Sequence, residues 1–96
     1  MDISNIELKD TIPYMESEDY KSRFIAEYFQ AKIRYEKLHV FIVKYEAGAL
    51  DFTPDTSLYV YKSQASALNN YLYILEVRAK IEGIDLDNVD FKSVKG

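Results

Sequence analysis

Apolar side chains recur at helical spacing over two long stretches of the chain. Phe24, Tyr28, Ala31, Tyr35, Leu38, Ile42 and Tyr45 follow one another at intervals of 4-3-4-3-4-3. This unbroken 3.5-residue repeat is the period at which a helix keeps one seam turned toward a neighbour. Ile25, Phe29, Ile33, Val40 and Val43 form a second, less regular stripe beside it. Further on, Leu58, Tyr61, Ala65, Leu68, Leu72, Leu75 and Ala79 repeat at 3-4-3-4-3-4, and Val60, Ala67, Tyr71, Ile74, Arg78 and Ile81 make the adjoining stripe. The polar positions support the same assignment. Asp19 with Arg23, Lys32 with Glu36, Glu76 with Lys80 and Arg78 with Glu82 are opposite charges four residues apart, which face each other on a helix.

Punctuation sets the ends. Ser17 is a good N-cap, Glu18 and Asp19 suit the first turn, and Gly48 suits the residue after the last turn. The reading is an arm over residues 1–16, a helix over 17–47, a connection over 48–56, a helix over 57–82 ending at Gly83, and a tail over 83–96. Pro13 allows a helix to start at that point but not to run through it. Leu50 and Phe52 should plug the end of the bundle. Ile84, Leu86, Val89, Phe91 and Val94 make the tail too apolar for a free linker. The fold class is therefore all-α: two long antiparallel helices in a hairpin, in one domain. A hairpin buries one stripe per helix, and each helix here has two. Large uncovered apolar faces are uncommon on monomers, so the sequence predicts a homo-oligomeric helical bundle.

Composition narrows the chemistry. The chain has 96 residues, no cysteine, a single histidine and three glycines. Neither a thiolate site nor a glycine-rich phosphate loop can be built, and His39 has no second nitrogen ligand for a metal. No serine has a base at compatible spacing, so no catalytic residues, metal or cofactor are expected. The net charge of −4 argues against coating duplex DNA. The start carries no signal-peptide pattern, and no apolar run is long enough to span a bilayer. A cytoplasmic location is the expectation.

Candidate binding residues remain. Nine tyrosines and no tryptophan suit interfaces and stacking surfaces, because the ring is apolar and the hydroxyl needs a partner. Lys32, Arg34 and Lys37 around Tyr35 form the densest basic and aromatic cluster. As a charge run it suits a solvated face, but the planar fork of Arg34 also suits phosphate oxygens. Arg78 interrupts an apolar stripe, so it must pair, snorkel or meet a ligand. Asn70 and Tyr71 precede it by about two turns, and Arg23 lies near the same end of the hairpin. The candidate anion site is thus Arg34, Arg78, Tyr35, Tyr71, Asn70 and Arg23.

Residues 17–24, Ala26-Glu27-Tyr28, residues 32–38, Leu50-Asp51-Phe52-Thr53-Pro54, and Tyr71-Leu72, Leu75-Glu76, Arg78-Ala79 and Ile81-Glu82 together resemble a family of short bacteriophage proteins, the crAss-phage-related small proteins. In architecture that family is similar to phage-encoded helical sponges that bind cyclic nucleotides of bacterial CBASS or Thoeris defence. The resemblance implies an immune-evasion protein that holds a cyclic oligonucleotide in the host cytoplasm without cleaving it. A protein-binding module directed at a host factor, or a small structural or regulatory phage protein, is the alternative.

Overall fold

A computed structural model describes residues 6–91, and within them every regular element is helical. A 3-10 turn at Leu8–Thr11 leads into a short helix α1 (Ile12–Met15), followed by α2 (Tyr20–Glu46) and α3 (Leu58–Glu82). Three helices pack together: α2 lies against α3 and also carries α1. Contacts between α2 and α3 join Tyr20 to Glu82, Tyr28 to Glu76 and Phe41 to Tyr61. The start of one helix therefore meets the end of the other.

Local chemistry explains the boundaries, which differ slightly from those expected. Asp19, not Ser17, caps α2, its carboxylate accepting from the Ser22 amide at 3.2 Å. Ser17 acts one step earlier, its Oγ accepting from the Asp19 amide at 3.0 Å. Gly48 has φ 69° and Gly83 has φ 71°, the left-handed region that L side chains avoid. Past each glycine the chain reaches back: the Ala49 amide donates to the Lys44 carbonyl and the Ile84 amide to the Ala79 carbonyl. Both helices thus end in the same closing motif. Helix α3 starts after Ser57, and a Lys62–Glu46 ion pair at 3.3 Å ties the two helices beside the connection.

The core is not spread evenly along the seam. Phe24, Tyr28 and Ala31 of α2 and Leu72, Leu75 and Ala79 of α3 are buried with Phe29, Ile84, Leu86 and Phe91. All belong to the half near the start of α2, where residues 8–15 and 84–91 add a third layer; in the far half of α2 Ile42 is also buried. The Phe91 ring lies 5.0 Å from Phe29 and 4.9 Å from Tyr14 of α1. Within the arm, residues 8–15 form helical turns that pack on α2. Thr11 is fully buried, its hydroxyl donating to the Leu8 carbonyl and accepting from Gln30. At the other end Leu38, Ala65 and Leu68 are only half-buried. An aromatic group of Phe41, Tyr45, Tyr61 and Phe52 closes that half, but Phe52 stays 57% exposed and caps it from the rim rather than plugging it. Val94 lies outside the described residues.

Candidate functional site

The α2–α3 pair has two long sides. One is covered in its first half by α1 and the tail. The other is uncovered among the described residues, and four of the six candidate residues lie along it. Glu27 of α2 accepts from the Tyr71 hydroxyl of α3, which fixes which faces meet there. Arg23 and Arg34 are four residues before and seven after Glu27, so they share its stripe. Arg78 is seven residues after Tyr71 and shares that stripe on α3. Arg34 is exposed. Asn70 and Tyr35 do not join this set. Asn70 is exposed two residues before buried Leu72, which turns it to the outer side of α3. Tyr35 is half-buried toward the other side, stacked on His39 at 6.2 Å with the Lys32 ammonium 6.0 Å from its ring.

The arginines differ in how they are held. Arg23 donates to the Ser17 carbonyl at 2.9 Å and steadies the entry to α2. Arg78 donates through Nε to Glu82 at 3.2 Å and through Nη2 to the Tyr20 hydroxyl at 2.8 Å. Tyr20 donates in turn to Glu82 at 2.7 Å, closing a triangle, and the Arg78 guanidinium lies 5.0 Å from the Phe24 ring centre. The cation that breaks the apolar stripe is thus paired and stacked. Its i,i+4 partner was legible in the sequence. Tyr20, 58 residues away, was not.

The Tyr20 hydrogen bond, with help from Arg78, holds the Glu82 carboxyl below its ordinary 4.5. The Ser22 hydroxyl and amide do the same for Asp19, and the Asn88 side chain and Asp87 amide for Asp85, relative to 3.8. Each group binds protons less readily folded than unfolded. Their stabilisation is complete above those ordinary values and is lost as pH falls through the lower, folded ones. Thermal melts should therefore show a lower Tm at pH 3 than at pH 6, and Glu82→Gln should reduce the difference. An unchanged difference in that variant would remove Glu82 from the account.

The sequence reading missed a cleft of about 340 Å³ on the opposite side, lined among others by Tyr28, Lys32, Glu76, Lys80, Asp85 and Asp87. The Tyr28 hydroxyl donates to Glu76 at 2.6 Å, and burial together with that carboxylate pushes the phenol well above its ordinary 10. Three carboxylates against two ammonium groups make this cleft unfavourable for phosphate. Its floor comes from the tail, and no periodic pattern announces where a tail docks.

Taken together, these features define a small all-helical protein with an open, arginine-bearing face and no helix long and apolar enough to cross a membrane among the described residues. The chain belongs to the Sequestin family, whose sequence model matches residues 18–81 and so spans nearly all of α2 and α3. The family name suggests a sequestering function, which implies binding of some partner. Comparison with curated proteins and with solved structures finds no match.

Proposed function

We propose that this protein is a bacteriophage immune-evasion protein that binds cyclic oligonucleotide second messengers of bacterial defence and holds them intact, acting as a homo-oligomer in the host cytoplasm. Membership of the Sequestin family over the two long helices carries this reading. The open face agrees with it in kind: Arg23, Arg34 and Arg78 offer charge to phosphates, and the Tyr20 ring offers a stacking surface to a base.

A panel of cyclic di- and trinucleotides screened by thermal shift tests it. A ligand present at a hundredfold excess over its Kd stabilises the folded state by about 2.7 kcal/mol. For a domain of this size that is a rise in Tm of roughly 10 °C or more. No rise with any member of the panel would remove the nucleotide from the proposal.

A further inference from the structure

On α3, Val60, Gln64, Ala67, Tyr71, Ile74, Arg78 and Ile81 repeat at 4-3-4-3-4-3, as regularly as the buried seam beside them. Yet Val60 is 50% exposed, Ile74 46% and Ile81 78%. Helix α2 borders this stripe with Glu27 and Arg34, both exposed and opposite in charge. The cross-helix pairs Tyr20–Glu82 and Phe41–Tyr61 place Tyr71 level with the turn around Ala31. Glu27 and Arg34 therefore sit at nearly equal distances on either side of Tyr71, about 6 Å and 4.5 Å along the axis at 1.5 Å per residue.

We infer that this face is the interface with a second copy of the chain, packed about a two-fold axis that crosses the helices at Tyr71. Such an axis lays α3 antiparallel on the second copy's α3, and α2 on its α2. Glu27 then meets the second copy's Arg34, and Arg34 meets its Glu27, so one face supplies both members of each ion pair. Along α3, Ile74 faces the small Ala67, Ile81 faces Val60, Arg78 faces Gln64, and Tyr71 lies at the axis. An axis parallel to the helices stacks α2 on α3 instead and forms neither ion pair. The aliphatic stripe supplies the driving force, and the charges set the register.

The arrangement deepens the nucleotide-holding reading and, for the site, rests on it. Within one chain Arg34 stands eleven residues from Arg23, about 16 Å along the helix. The two-fold axis brings the second copy's Arg34 to the level of Glu27, within about a turn of Arg23 and Arg78. Each anion site is then completed by both copies.

Because the chain has no cysteine, introduced cysteines report the register without any nucleotide. Under mild oxidation Tyr71→Cys should link to itself in most of the protein. Val60→Cys and Ile81→Cys should link to each other when mixed and hardly at all when alone. Independently, Arg34→Glu should weaken self-association about tenfold or more, since it sets like charges face to face, and adding Glu27→Arg should restore it. A monomeric parent protein in light scattering at tens of micromolar would overturn both this interface and the oligomeric part of the functional proposal. A dimer in which Ile81→Cys links to itself, or in which the double charge reversal restores nothing, would overturn this interface and leave nucleotide binding standing.

Discussion

Replacing Leu72 with Asp is expected to unfold the protein. Leu72 is 2% exposed and lies in the core cluster with Phe24, Tyr28 and Leu75. A carboxylate there is set among apolar and aromatic side chains, and Lys32 and Arg78 are already paired with Glu36 and Glu82. The side chain must stay unpaired in an apolar site or take up a proton, and either adds to the lost packing. Changes of this kind cost about 4 kcal/mol or more, against a total stability on the order of 5–15 kcal/mol for a domain. Circular dichroism should show most of the helical signal lost at 25 °C. Leu38 also lies mid-seam but is half-buried, so Leu38→Asp should lower Tm and leave the helices formed. Equal behaviour of the two variants would show that the core is not concentrated in the half near the start of α2.

Arg34→Ala is expected to weaken binding of the cyclic nucleotide tenfold or more. A charge-assisted contact to phosphate is worth roughly 1.5–3 kcal/mol, and about 1.4 kcal/mol is a factor of ten. Arg34 is the clean test, because it is exposed and its removal takes nothing from the core. In the two-fold dimer the substitution removes both Glu27–Arg34 ion pairs, at most about 1 kcal/mol each, so self-association through the aliphatic stripe should weaken but persist. Arg78→Ala should weaken binding as much and also lower Tm, since it opens the triangle with Tyr20 and Glu82. Asn70→Ala should leave binding unchanged, because Asn70 points away from the open face. Titration calorimetry on the three variants checks this. Parent-like affinity in Arg34→Ala and Arg78→Ala would return both arginines to an ordinary salt-bridged or solvated role.

The contrast between Leu72 and Leu38 shows how far periodicity reads a fold of this kind. Both leucines lie in the middle of their seams; the repeats locate the two helices and their facing seams, and the glycines mark where the helices end. Periodicity carries no information on what else covers a seam. The extra layer comes from segments far apart in the sequence, with Phe91 meeting Phe29 and Tyr14. Burial therefore diverges where the repeats do not. The site behaved similarly. That Arg78 needed a partner was evident from its place in an apolar stripe, and Glu82 was evident at i,i+4. The alignment of Arg23, Arg34, Tyr71 and Arg78 along one side depends on the rotation of α2 against α3, and the Tyr71–Glu27 contact sets that rotation. Asn70 and Tyr35 were grouped with them by nearness in sequence, and helical phase separates them.

The most direct test of sequestration is recovery of the ligand. Purified protein is saturated with each cyclic nucleotide that raises its Tm, the heat of binding is measured, and the complex is then denatured and the released nucleotide identified by mass. Saturable binding with all of the cyclic nucleotide returned intact after prolonged incubation is the predicted result. Linear product accumulating with time, or no saturable binding by any cyclic nucleotide, would contradict the account.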